Sequence, residues 1–271
     1  MKQARTARHT DFDDVMKLLA QDPIESVAIA SWLEREGPSG LERRNLWIYD
    51  DAVCFSGANL LPMNANQAAA RAFARRAIDE GRRCSSIVGR LPAISTMWLR
   101  LEPFWGRARA VRERQIVMVI EDVPQVAPDP DVRLAVASDF NAFYNASIEM
   151  YIEEIEASPI AHDGGSSYRR RISELLSDQY AFVRTDGDQV IFKAELGAVT
   201  SGCAQLQGVW VHPDYRGQGI GAAGTAQVVS LARERGMGTI SLAVNDYNES
   251  ACHIYRRCGF RPIAEQMVVL F

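Results

Sequence analysis

Apolar positions fall at helical spacing early in the chain and in short blocks or alternations later, so the pattern predicts interleaved helices and strands. Between residues 11 and 36, Val15, Leu18 and Leu19, then Val27, Ile29, Ala30 and Leu33, supply the stripe of one or two helices. Gly37-Pro38-Ser39-Gly40 stops them. A hairpin is expected from 46–49 and 52–61 about Asp50-Asp51, then an Ala- and Arg-rich helix over 65–80, a strand over 84–88, a helix over 94–104 and a strand over 115–120. Residues 121–130 carry three prolines and no periodicity, which reads as a semi-extended linker. Beyond it the pattern predicts a strand over 132–136, helices over 139–156 and 167–176 around Gly164-Gly165, and hairpin strands 181–184 and 190–196 about Asp186-Gly187-Asp188. A strand over 204–211, a helix over 221–235, a strand over 239–244, a helix over 249–258 and a strand over 266–270 close the chain. The expected class is α/β with a mixed sheet, organised as a smaller N-terminal α/β domain (1–122), a Pro-rich linker (123–131) and a C-terminal domain (132–271).

The halves share a spacing. Gly81 to Trp105 and Gly236 to Phe260 both span 24 positions, each following a long helix and containing a strand, a helix and an aromatic close beside Gly106 or Gly259. Pro62 precedes the first long helix as Pro213 precedes the second, but Met63-Asn64-Ala65-Asn66 stands where the second half has glycines. This is the signature of a degenerate repeat whose first copy has lost a loop; two unrelated α/β pieces are the alternative.

The most informative stretch is Val209-Trp210-Val211-His212-Pro213-Asp214-Tyr215-Arg216-Gly217-Gln218-Gly219-Ile220-Gly221. A β-branched run passes a turn and enters a helix through glycines, a junction where loop and first-turn N–H groups converge on an anion. Arg216 adds a donor fork suited to phosphate oxygens. Gly219-Ile220-Gly221-Ala222-Ala223-Gly224 also satisfies G-x-G-x-x-G, with Asp246 after the next strand, so a dinucleotide loop is a competing reading. Against it, five residues separate strand from loop, and too little chain follows for a doubly wound sheet. A glycine turn of purely structural purpose is the bland alternative.

Arg216, Gly219 and Gly221 fit the Arg/Gln-x-x-Gly-x-Gly/Ala loop of the GCN5-related N-acetyltransferases, and Asn248, Ala251, Tyr255, Gly259 and Phe260 fit that family's Asn-x-x-Ala-x-x-x-Tyr-x-x-x-Gly-Phe segment. From about Val132 onward the chain resembles this family, and particularly actinobacterial members with an additional N-terminal domain. The resemblance implies acetyl-CoA as cofactor, with its pyrophosphate on Arg216, Gly217, Gln218, Gly219, Ile220, Gly221 and Ala222 and its pantetheine arm along Val209, Trp210 and Val211 and near Asn248. It implies direct acyl transfer to an amine, with Tyr255 protonating the departing thiolate, since a phenol stays protonated at neutral pH.

The base departs from the family pattern. Positions where relatives often carry Glu hold Gln205 and Ala243, so Glu195, sharing a strand face with Lys193, is the candidate base; an exposed charge pair is its bland alternative. His212 is titratable but expected to be solvated. Glu149, Glu153, Glu154 and Glu156 crowd the helix that roofs the acceptor site in this family, and Glu153 and Glu154 are candidates to attract a cationic amine of a small molecule or protein, although such clusters are commonly solvated faces. Because Gln205 and Ala243 lack carboxylates, an acyl-CoA-binding sensor without acetyl transfer is the runner-up function.

Charge and cysteines narrow the classes. A net charge of −4 gives a nucleic-acid partner no support. No run approaches a membrane span, no export signal is visible and the cytoplasm is the default. Five scattered cysteines and four dispersed histidines predict neither a disulfide framework nor a metal site. The oligomeric state is not legible.

Overall fold

The computed structural model describes residues 2–43, 45–155, 157–160 and 163–271. In the first half, β1 (Arg5–Thr6), α1 (Phe12–Leu19), α2 (Pro23–Glu36), β2 (Leu46–Tyr49), β3 (Ala52–Ser56), β4 (Asn59–Met63), α3 (Gln67–Glu80), β5 (Ser86–Arg90), α4 (Leu91–Trp105) and β6 (Ala110–Ile120) follow one another. The second half runs β7 (Arg133–Leu134), α5 (Phe140–Ile155), α6 (Ser166–Ser177), β8 (Ala181–Asp186), β9 (Gln189–Val199), β10 (Cys203–Val211), α7 (Ile220–Glu234), β11 (Thr239–Asn245), α8 (Glu249–Cys258) and β12 (Arg261–Leu270).

Most of these boundaries follow from local chemistry. The side chain of Asp22 accepts the Glu25 N–H at 2.9 Å, with Pro23 in the first turn, which starts α2. Asn66 accepts the N–H groups of Ala68 and Ala69, both at 3.0 Å, and starts α3 two residues later than its alanines alone suggest. The strand expected over 52–61 breaks at Gly57: β3 turns back and pairs antiparallel with β4, Val53 opposite Met63, making a three-stranded meander of the expected hairpin. The strand expected over 132–136 shortens to the two residues of β7.

The chain divides into two compact units. The first comprises residues through Met118 together with Ala243–Asn248 and Pro262–Phe271. Its strands lie in the order β1-β2-β3-β4-β5-β12-β6, with β4 and β5 parallel and β5 and β12 antiparallel, Gly89 opposite Met267. Met267 and Val269 join Trp47, Phe73, Ile94 and Met97 in its core. The second unit comprises Val119–Leu242 and Glu249–Arg261. Its order is β7-β8-β9-β10-β11, antiparallel from β7 to β10 and parallel from β10 to β11. That mixture rules out the doubly wound parallel sheet of a dinucleotide domain. Phe143, Tyr144, Ile172, Leu175, Val183 and Trp210 form a core between its helices and sheet. The third glycine of the G-x-G-x-x-G string, Gly224, serves packing: a Cβ there would meet the Phe192 ring of β9 at 2.7 Å.

The Pro-rich stretch is anchored within the second unit. Gln125 donates its backbone N–H to Cys258 (3.0 Å), Asp129 donates to Ala223 (3.0 Å), and the buried Asp129 carboxylate accepts from Arg184 at 2.6 Å.

The two halves pass through one succession of elements, strand, two helices, three antiparallel strands, helix, strand, helix, strand. Both open on the same ion pair. Arg5 grips Asp11 bidentately at 2.7 and 2.8 Å, and Arg133 grips Asp139 at 2.7 and 2.9 Å. In each pair the Asp also accepts the backbone N–H three residues before it, at 2.7 Å from Arg8 and 2.8 Å from Val136. The shared element order and the matching ion pairs are the features that the two halves have in common.

Candidate active site

The site begins with a defect in the pairing of β9 with β10. Gln207 lies opposite Glu195 and Trp210 opposite Lys193, so β10 advances three residues while β9 advances two. The extra residue makes a bulge at Gly208, which sits in the left-handed region at φ 56°. A side chain there would be strained and crowded, with its Cβ 3.1 Å from Lys193 Nζ and 3.2 Å from Glu195 Cδ. Bulging takes backbone N–H groups out of the ladder and leaves them for another partner.

Beneath the bulge lies a buried charge cluster. Lys193 is 0% exposed and Glu195 6%. Arg171, on α6, donates to Glu195 Oε1 at 2.7 Å, and Lys193 Nζ stands 3.8 Å from Glu195 Oε2, 3.5 Å from Met150 Sδ and 5.0 Å above the Phe143 ring. Burial alone would raise the Glu195 carboxyl, but the charges of Lys193 and Arg171 overcome it and hold the group below its ordinary range. Burial pulls Lys193 the other way, toward neutrality, against the attraction of Glu195. The pair is therefore an interior one, and Glu195 is ionised at neutral pH with Arg171 and Lys193 against it.

From Val211 the chain passes His212 and a 3-10 turn (Pro213–Tyr215) to Arg216, and then to Gly217 and Gly219, at φ 75° and 83°, before α7. No atom lies within 4 Å of where a Cβ would stand on either glycine, so the loop is open. The first N–H groups of α7 point toward it. Arg216 donates Nη1 and Nη2 to the two oxygens of Glu153 at 2.8 and 2.7 Å, and Nε to the Val211 carbonyl at 2.9 Å. The Trp210 indole N–H reaches the same carboxylate at 3.2 Å. Hydrogen bonds from Arg216, then Trp210, keep Glu153 below the ordinary carboxyl range. Among the candidate residues, then, Glu153 faces the loop Arg.

Tyr255 is buried in α8, edge-on to Phe260 with ring centroids 5.8 Å apart. Burial, and secondarily the charge of Glu154, push its phenol well above the usual value, so it stays protonated across the neutral range. The influence of Glu154 reaches Lys193 as well as Tyr255. Glu154 is exposed, whereas Glu156 lies outside the described residues. Gln205 accepts from Gln207 Nε2 at 2.7 Å. His212 contacts Gln189 at 2.9 Å and stands edge-on between Trp210 and Tyr215. Asn248 directly precedes α8, and its backbone N–H donates to Asn245 at 3.0 Å.

Two members of the site were not singled out from sequence. Gly208 carried a signal, because a lone glycine inside a strand pattern marks a bulge. Arg171 carried none, being one of three consecutive arginines on a polar helix. In the first unit the corresponding strand-to-helix junction is closed: Asn66 takes the α3 donors and Glu25 accepts the Asn64 N–H at 3.3 Å. A cleft of about 420 Å³ in that unit, walled by Tyr49, Ala72, Arg71 and Arg76, contains none of the candidate residues.

Residues 142–260 match the model of the Acetyltransferase (GNAT) family, and residues 45–143 match that of a domain of unknown function, DUF4081. A streptothricin acetyltransferase from Streptomyces lavendulae is 33% identical over 40% of this chain and 61% of its own length. A thialysine N-epsilon-acetyltransferase from Sus scrofa is 38% identical over 22% of this chain and 35% of its own. The chain thus spans about three fifths or less of the length of these curated relatives. Among solved structures, a GCN5-related N-acetyltransferase from Sphaerobacter thermophilus has TM-score 0.57 at 19% identity, covering 98% of this chain and 94% of its own. A GNAT-family acetyltransferase from Colwellia psychrerythraea has TM-score 0.55 at 14% identity over 94% and 97%. Both likenesses are of fold.

Proposed function

We propose, from the premise that residues 142–260 are a domain of the GNAT acetyltransferase family, that this protein transfers an acetyl group from acetyl-CoA directly to a primary amine of a small molecule or protein. The observation that carries the reading is the bulge at Gly208, set immediately before an open anion loop on the same strand. Acetyl-CoA, the donor used by the family, supplies the activated thioester. The residues present fit it: the glycines at 217 and 219 leave room for a pyrophosphate, and the Arg216 fork already holds a carboxylate in bidentate fashion.

In this reading Arg216, Gly217, Gln218, Gly219, Ile220, Gly221 and Ala222 hold the pyrophosphate, with the positive end of α7 behind them. Val209, Trp210 and Val211 offer backbone groups freed by the bulge to the pantetheine arm and to the thioester carbonyl oxygen. Tyr255, kept protonated by burial, gives its proton to the thiolate. Glu195 is ionised, the state a base requires, but its two cations make it a weak one; it receives the amine proton through water. Glu154, exposed and near Tyr255 in the electrostatic sense, draws the cationic acceptor.

Calorimetric titration of coenzyme A into the full chain, followed by an amine screen with thiol release as readout, tests the proposal. Binding in the micromolar range, weakened about tenfold or more in Arg216→Ala, together with turnover on some amine, is expected. Tight binding with no transfer to any amine would instead favour an acyl-CoA sensor, a reading motivated by Gln205 and Ala243 at positions without a carboxylate.

A further inference from the structure

We infer that Glu153 is an internal competitor for the cofactor's pyrophosphate, and that its displacement completes the acceptor site. The inference rests on the assignment of Arg216 to the pyrophosphate. The carboxylate of Glu153 lies across the Arg216 fork at 2.8 and 2.7 Å, and the Trp210 indole N–H closes on it at 3.2 Å. A carboxylate and a phosphate each present two anionic acceptor oxygens to such a fork, so they claim the same donors. Both cannot hold them. The pair is half-exposed, at 44% for Arg216 and 48% for Glu153, so exchange is energetically easy.

Exchange has a consequence at the other end of the side chain's reach. Glu153 and Glu154 are neighbours near the end of α5, and Glu154 already acts electrostatically on Tyr255 and Lys193. With Arg216 turned to phosphate, the Glu153 carboxylate loses its bidentate partner and adds its charge to that of Glu154, the next residue of α5. Two carboxylates form a stronger site for an acceptor carrying more than one cationic amine than for a monoamine. Cofactor binding therefore raises acceptor affinity, and by linkage the acceptor raises cofactor affinity by the same factor.

The test titrates coenzyme A by calorimetry into wild type, Glu153→Gln and Arg216→Ala, without and with millimolar spermidine as a polycationic probe. Glu153→Gln is expected to bind coenzyme A about two- to fivefold more tightly than wild type, the range an exposed ion pair spans. Wild type is expected to bind it more tightly with spermidine present, and Glu153→Gln to lose that gain. Unchanged or weaker coenzyme A binding by Glu153→Gln would overturn the inference while leaving the proposed function standing. Wild type that binds no coenzyme A at all would remove the proposed function and this inference with it. The exposed position of Glu153 makes misfolding a small concern, and Glu153→Asp, which shortens the reach to Arg216, should fall between wild type and Gln in affinity.

Discussion

Gly208 and the two charges beneath it constrain one another. Replacing Gly208 with Ala puts a methyl 3.1 Å from Lys193 Nζ and 3.2 Å from Glu195 Cδ and forces an L side chain into the left-handed region that favours glycine. The expected cost is about 1–3 kcal/mol, read from denaturant midpoints, together with lost acetyl transfer. Wild-type stability would show that the bulge relaxes freely. The same cluster sets a pH dependence. Glu195 has its folded pKa depressed, so its stabilising contribution is complete above the unfolded carboxyl value of about 4.3 and is lost as pH falls through the lower folded value. Glu195→Gln leaves Lys193 and Arg171 without their anion and should cost about 3 kcal/mol near neutrality. That difference should shrink in acid, where wild type also loses the charge; a difference constant from pH 7 to pH 3 would contradict the account. Tyr255→Phe should lower turnover on the order of 10²-fold with coenzyme A affinity unchanged, measured by thiol release beside calorimetry. Unchanged turnover would remove Tyr255 from proton transfer.

At the scale of elements, two strand-to-helix junctions diverge. Before α7 the chain spends eight residues, two of them left-handed glycines, and gives the first N–H groups of the helix no side-chain cap. Before α3 it spends three, and Asn66 satisfies the donors itself. Asn66→Ala is therefore expected to cost about 1 kcal/mol of stability and to leave coenzyme A affinity untouched. A change in affinity would give the first unit a part in cofactor binding that its closed junction denies. The helix and strand order was largely legible, because α2 and α3 carry their own caps, with Pro23 starting α2 and Gly81 ending α3, and α8 carries an apolar face. The misread places were those where a local rule met a tertiary partner. The strand over 52–61 folds back on itself because Leu60 is needed in the core beside Trp47 and Ile87, a demand no window of sequence contains.

At the scale of the whole molecule, the last strand completes the first unit. β12 pairs along β5 from Ser86 to Arg90 and places Met267 and Val269 in the core with Phe73 and Ile94. Deleting residues 261–271 should expose the edge of β5, lower the melting temperature and promote aggregation, which solubility and thermal unfolding would report. A deletion as stable and soluble as the full chain would show that β12 is dispensable. Although β12 was recognised as a strand, its partner lay 176 to 184 positions earlier, and pairing at such separation leaves no periodic mark.

Residue types at fixed spacing determined the anion loop, the Tyr255 helix and the succession of elements, since glycine conformations, caps and helical periods act over a few residues. The matched 24-residue intervals were visible there too, and the structure adds the parallel ion pairs Arg5–Asp11 and Arg133–Asp139. Tertiary structure alone decided which charges meet. Glu195, the candidate base, is closed in by Arg171, Lys193 and the Gly208 bulge, and Glu153, the acceptor candidate, is paired with Arg216. Charge pairing across elements depends on burial and distance, and neither is a property of one segment.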